Sequence, residues 1–153
     1  MALGAMKFYL LRVDPKKTMV FNPQESIEFH GFTGPFVQYT HARIKSILRK
    51  EPLTDNQEPI DSNDLLKLEK EVIVILEQYP DAIEQACAEH NPSVIAMFVF
   101  NLAKTFNSFY TEHSIANAET ATKKQLRLQL AIMTANTLKS GMELLGIRVP
   151  ERM

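Results

Sequence analysis

The chain is predicted to be all-α, a bundle of five or six helices joined by short loops. Two observations lead there. Apolar residues recur at three- and four-residue spacing along most of the chain, and proline, glycine and asparagine gather between those stretches. Its 153 residues are one domain's length, and 45% apolar against 23% charged residues suits a globular core.

Each element has its own signal. Leu3 to Val13 is a short apolar helix stopped at Asp14-Pro15, because a residue before proline resists helical geometry. Lys16 to Phe32 lacks a helical period. Pro23, Gly31 and the alternation Ser26-Ile27-Glu28-Phe29 predict a short extended connector there. Gly34-Pro35 opens a helix, with proline in the first turn, where its missing N–H would be unpaired anyway. That helix runs to about Lys50 on Phe36, Val37, Ile44, Ile47 and Leu48, and ends near Pro52.

A polar loop from Glu51 to Asp61, with Pro52, Asp55, Asn56 and Pro59, leads to a helix capped by Asp61 or Ser62. Its stripe is Leu65, Leu68, Val72, Ile75, Leu76 and Tyr79. Pro80 is expected to break it, and Asp81 to His90 to form a short helix. Asn91-Pro92 caps and starts a long apolar helix through Tyr110. The last helix begins near Ala121, carries Leu126, Leu130, Met133, Leu138 and Leu145, and ends around Gly146. A short tail follows to Met153. The expected division is a connector region over 1–32 and the bundle over 33–153.

Several function classes drop out. No stretch approaches the roughly 18 consecutive apolar residues of a membrane span. Met1 to Lys7 has neither the basic start nor the cleavage site of a secretory signal. The single cysteine, Cys87, excludes an internal disulfide framework and fits a reducing compartment, so a cytoplasmic location is expected.

The net charge of −1 says little, but its distribution is uneven. Thr33 to Lys50 carries Arg43, Lys45, Arg49 and Lys50 and no acidic residue. Glu51 to Glu119 holds thirteen acidic against three basic residues, and Thr120 to Met153 six basic against Glu143 and Glu151. Two basic segments brought together in space would meet a polyanion. Ordinary solvated helix faces account for the same pattern.

Catalytic chemistry is thinly represented. The five glycines are scattered, with no phosphate-cradling loop. His30, His41, His90 and His113 fall on different elements. Cys87 and His90 are three apart on one short helix, which offers two metal ligands at most and reads better as a buried thiol beside a surface imidazole. No catalytic or metal-ligating set is assigned. Phe36, Tyr39 and Arg43 are spaced three and four apart and so share one helix face. Two rings and a guanidinium at that pitch suit unstacked bases, each with a flat π-face and a phosphate nearby. The same spacing is met by core aromatics.

The run Gly34-Pro35-Phe36-Val37-Gln38-Tyr39-Thr40-His41-Ala42-Arg43-Ile44-Lys45-Ser46-Ile47-Leu48-Arg49-Lys50 closely resembles the opening of the anticodon-binding domain of arginyl-tRNA synthetases, often called the DALR domain. Phe21 to Phe29 before it, Phe106-Asn107-Ser108-Phe109-Tyr110, and Leu144 to Met153 agree in order, so the resemblance spans nearly the whole chain. Arg152-Met153 at the end is also similar to the family.

The resemblance implies an anticodon-binding helical bundle that grips the anticodon loop of arginine tRNA. Carried over by position, the RNA-facing residues are Phe36, Tyr39, Arg43, Tyr110 and Met153. Phe36 stands where many relatives have tyrosine, which keeps the stacking face and loses a hydroxyl. Phe32 stands where many have asparagine.

All arginine codons share a central guanine, so a reader of arginine anticodons needs one discriminating pocket for cytosine and tolerant stacking elsewhere. Tyr110 and Met153 are expected to wall that pocket, with Tyr39 and Arg43 holding the splayed loop. Lys45, Arg49, Lys123, Lys124 and Arg127 are candidates, with Arg43, for phosphate contacts that position rather than specify.

No ATP-binding signature of a class I synthetase is present, and Leu3 to Val13 resembles the last piece of the region that follows the second one. The chain is therefore expected to bind tRNA without activating arginine. A parent enzyme would use ATP and Mg, and its catalytic domain is the second expected partner; no cofactor is expected in this chain. Neither a membrane nor DNA is expected as partner, and a monomer is expected. The alternatives are an anticodon module of another class I or the glycyl synthetase, a helical protein-interaction module, and a small metal-dependent enzyme built on Cys87 and His90.

Overall fold

The structure, a computed structural model, describes residues 2–51, 53 and 64–153. Seven helices are seen among them: α1 (Ala2–Leu11), α2 (Pro23–Ser26), α3 (Gly34–Lys50), α4 (Lys67–Glu77), α5 (Tyr79–Glu89), α6 (Ser93–Glu112) and α7 (Ala121–Leu144). The described residues contain no strand. The all-α class is as expected.

Helix α7 is the axis, packed by α3, α4 and α6, while α1 lies on α3 and α5 on α6. Leu126, Leu128, Leu130, Ala131, Ala135, Leu138 and Met142 of α7 meet Val99, Leu102, Ala103, Phe106 and Phe109 of α6 in one core. Fully burying each large apolar side chain stabilises the fold by about 1.5–3 kcal/mol. At Gly141 the helices approach so closely that a Cβ would lie 2.4 Å from Val99 Cγ1. Phe8 of α1 is fully buried in the same core as Val37 of α3, so packing is continuous across position 32.

Side-chain caps place the helix starts. Thr33 accepts the Phe36 N–H and Thr120 the Lys123 N–H, at 3.3 and 3.1 Å. Asn91 Oδ1 accepts the Ser93 N–H at 3.0 Å and thereby opens α6.

Several expectations change. Inside the connector, Asn22 caps one helical turn, α2, by accepting the Gln24 and Glu25 N–H groups. Pro80 does not separate two helices by breaking one; it occupies the first turn of α5, where a proline costs no hydrogen bond. Asp61, Ser62 and most of the preceding polar loop, including Pro52, Asp55, Asn56 and Pro59, lie outside the described residues. Helix α4 starts at Lys67, with the Leu66 N–H donating to Glu69 Oε2 at 2.9 Å, and Leu65 falls before it. Met133 is about half exposed rather than in the core stripe, and Cys87 is exposed rather than buried.

Helix α5 ends on His90 with φ +51°, a left-handed position usually given to glycine. The His90 and Asn91 N–H groups bond back to Cys87 and Ala86 carbonyls. After the Leu145 cap of α7 comes Gly146, φ +68°, with Gly146 N donating to Glu143 O and Ile147 N to Met142 O, both at 2.9 Å. This paired bonding turns the chain sharply out of α7. Lys7 Nζ holds the Gly146 carbonyl at 2.9 Å, and the tail crosses to α3.

Candidate nucleic-acid interface

Because α3 has no acidic residue, its outer surface is cationic, with Arg43, Lys45, Arg49 and Lys50 along the second half. Arg49 and Lys50 in the last turn also complement the negative end of the helix dipole, which is reason enough for them to be basic. The feature with no such structural motive is Arg43. Its guanidinium lies over the Tyr110 ring, 4.6 Å from the centroid. Tyr110 is placed by α6, where its ring runs parallel to that of buried Phe106, 6° apart in plane. One turn earlier, Asn107 Nδ2 donates to Thr40 Oγ1 at 2.9 Å and fixes α6 to α3 at that level. The Tyr110 hydroxyl finds no partner among the described residues.

Arg43 and Tyr110 open onto a depression of about 380 Å³, which Ser46, Ile47, Lys50, Glu51 and Ala116 complete. Lys124 reaches Glu51 there at 2.6 Å, which neutralises its carboxylate. Tyr39, one turn before Arg43 on the same face, is about half exposed, its ring edge-on to Phe29 at 6.2 Å. Phe36 is only partly exposed, because it packs on Phe100 at 5.4 Å. A roomier groove of about 630 Å³ between α4 and α6 is lined by none of the expected residues.

The tail lies along a neighbouring face of α3. Gln38 Nε2 donates to Arg148 O at 2.7 Å, His41 Nδ1 bonds Pro150 O at 2.9 Å, and Arg49 Nη1 donates to Glu151 O at 3.0 Å. Lys45 stands 3.7 Å from the Glu151 carboxylate. Burial holds the His41 imidazole below its ordinary 6.5, outweighing the Pro150 carbonyl and Glu151, so the ring is neutral at pH 7 and Nδ1 carries the donor proton. Met153, about half exposed, sits two residues beyond Glu151. It does not line the depression, contrary to its expected place in the wall beside Tyr110.

Two of the expected phosphate contacts are corrected outright. Arg127 is 1% exposed and its guanidinium is spent on Glu69 Oε1 (2.9 Å), Ser114 O (2.7 Å) and both oxygens of Glu119. Lys123 bonds Glu69 Oε2 at 2.7 Å and the Asp64 carbonyl, with only 15% of its side chain exposed. Burial would raise the Glu69 pKa, but Lys123, the Leu66 N–H and Arg127 together hold it below the usual carboxylate value. These two cations neutralise a buried acid, and neither is free for a phosphate. Among the described residues no three His, Cys, Asp or Glu side chains could share a metal, which leaves Cys87 and His90 without a third ligand.

The arrangement is therefore a cationic, ring-bearing surface on α3 and α6 flanked by a strapped tail. Comparison with known proteins shows the family: residues 37–153 match the DALR anticodon binding domain. The chain belongs to the DALR anticodon-binding domain family. This DALR domain is 52% identical over 151 residues to an arginine–tRNA ligase of Flavobacterium psychrophilum, and 43% identical over 161 residues to one of Amoebophilus asiaticus. The first alignment covers 99% of this chain and 25% of the relative, the second 100% and 26%. The chain thus spans about a quarter of the length of the curated relatives it matches.

Among solved structures it superposes on the arginyl-tRNA synthetase of Thermus thermophilus with a TM-score of 0.88 and 34% identity, covering 99% of this chain and 26% of that one. The Plasmodium falciparum arginyl-tRNA synthetase follows at 0.83 and 25% identity, covering 99% and 27%. In this DALR domain sequence reasoning overlooked Gln38 and His41 as tail anchors and Phe29 beside Tyr39. A polar residue on the buried side of an otherwise amphipathic helix was the available signal for the first two.

Proposed function

We propose that this chain binds the anticodon loop of arginine tRNA as the anticodon-binding portion of an arginine–tRNA ligase, with Tyr39, Arg43 and Tyr110 at the centre of the site. The observation that carries the reading is the Arg43 guanidinium over the Tyr110 ring at the mouth of the depression. A flipped-out base entering there would find a ring to stack on and a cation for its phosphate. Tyr39 offers a second exposed ring one helical turn away, and Lys45, Arg49 and Lys50 supply sequence-independent attraction along the same helix. Phe36 supports this surface from its partly buried place against Phe100.

In this reading ATP, Mg and arginine are handled by the rest of a longer cytoplasmic enzyme, and the present chain contributes recognition alone. Titration of the chain with arginine tRNA and with a transcript altered at the central cytosine tests it. The cognate transcript should bind with a steep salt dependence and the altered one markedly more weakly. Tyr110→Ala should weaken cognate binding roughly tenfold or more, the loss of one stacked base, with little change in helicity. Equal binding of both transcripts would refute the assignment. Loss of helicity in proportion to loss of binding would make Tyr110 merely structural.

A further inference from the structure

We propose that Gln38 and His41 are positioning residues, which grip the tail backbone from inside the bundle and thereby hold Met153 within reach of the basic end of α3, beside the face that carries Arg43. The inference rests on the anticodon-binding reading above. Gln38 and His41 are 4% and 0% exposed and three apart on α3, so they point the same way. They take the carbonyls of Arg148 and Pro150, alternate residues that present alternate carbonyls to the same side when the chain is extended. Arg49 takes the Glu151 carbonyl about two turns further on, so three anchors run along most of the helix. Upstream the path is set by the left-handed turn at Gly146 and by buried Ile147.

A second observation argues that this pair is not kept for stability alone. Among the described residues, neither Gln38 Oε1 nor His41 Nε2, both buried, has a hydrogen-bond partner. An unpartnered buried polar atom carries its full desolvation penalty, and apolar side chains of similar size would fill the same space without it. What leucine could not do is hold a carbonyl. From Glu151 two peptide links, at most about 7 Å, set the reach to Met153. The last anchored carbonyl therefore keeps Met153 within that reach of the Arg49 guanidinium, which is carried by the basic last turn of α3. His41 is neutral, and the charged groups that act on it are Glu151 of the tail, Lys45 of α3 and Lys139 of α7.

The test compares Gln38→Leu and His41→Leu in two backgrounds, the 153-residue chain and the chain lacking residues 151–153. In the first, each should weaken arginine-tRNA binding on the order of tenfold, the loss of about one hydrogen bond's worth of ordering. In the second, neither should weaken it further, because the residue they position is gone. An equal loss in both backgrounds would overturn the proposal and make the pair structural. Amide order parameters at Arg152 and Met153, read without RNA, should fall from rigid values to below about 0.6 in either variant. Unchanged values would refute the inference independently of any tRNA. Arg49→Ala, on the surface, should lower them as well, and keeps the test decisive should a buried variant unfold. If the unaltered chain fails to bind tRNA, the anticodon reading falls, while the order parameters still report whether the pair holds the tail.

Discussion

Replacing Arg127 separates a buried structural cation from a phosphate-binding one. Arg127→Met removes a guanidinium that makes one hydrogen bond to Glu69, one to the Ser114 carbonyl and two to Glu119, while keeping most of the aliphatic stem. Breaking a buried pair by deleting one partner typically costs about 3–5 kcal/mol, because the remaining charge is stranded. Here Lys123 stays on the other Glu69 oxygen at 2.7 Å, which places the expected loss near about 3 kcal/mol. Urea unfolding followed by far-UV circular dichroism reads it directly, and the melting temperature should fall by roughly 6–12 °C for a chain of this size. Glu69→Gln with Arg127→Met should recover part of that loss, since the stranded charge is then absent. A loss under about 1 kcal/mol for Arg127→Met, accompanied by weaker and less salt-sensitive tRNA binding, would refute the structural assignment and restore the phosphate contact.

Two further outcomes follow from the fold. His90→Gly should stabilise the chain by about 1 kcal/mol in the same urea assay, because the left-handed backbone at the end of α5 burdens any residue with a Cβ; destabilisation would mean the imidazole makes a contact worth more than that strain. Acid should destabilise in two steps. His41 is held below 6.5, and its contribution, present above that pH, is lost as pH falls toward the depressed value. Glu69, Glu25 and Glu119 are held below 4.5, so theirs is present above 4.5 and lost as pH drops further. Urea midpoints at pH 7.5, 5.5 and 4 should decline throughout, and a midpoint that rises between 7.5 and 5.5 would contradict the His41 assignment.

Helix starts were legible wherever a capping side chain and a proline coincide, as at Thr33 and Pro35 or at Asn91 and Pro92, because those signals are local. Gly146 was legible for the same reason. The single turn α2 carried the same Asn-Pro signal but is too short to show a period. Arg127 misled because α7 is surrounded by α3, α4 and α6, so its buried face is far wider than the one stripe a surface helix shows. A charged residue beside Leu126 and Leu128 is then inside, and only its acidic partner on another helix reveals why. The Arg43 and Tyr110 pair was legible only in part. The spacing on α3 aligns Tyr39 with Arg43, but no local pattern says that residue 110 arrives 67 positions later. The tail path was not legible, since its anchors are main-chain carbonyls that every sequence has.

That last point bears on how the segment after Gly146 tolerates change. Fastening by carbonyl oxygens leaves the exposed side chains of Arg148 and Arg152 largely uncommitted, whereas the number of residues between the Gly146 bend and Met153 is strictly counted. One inserted residue would advance everything downstream by up to about 3.6 Å and put each oxygen out of step with its donor. Substitutions at the segment's exposed positions should be forgiven and single-residue insertions or deletions should not, a constraint on spacing more than on identity.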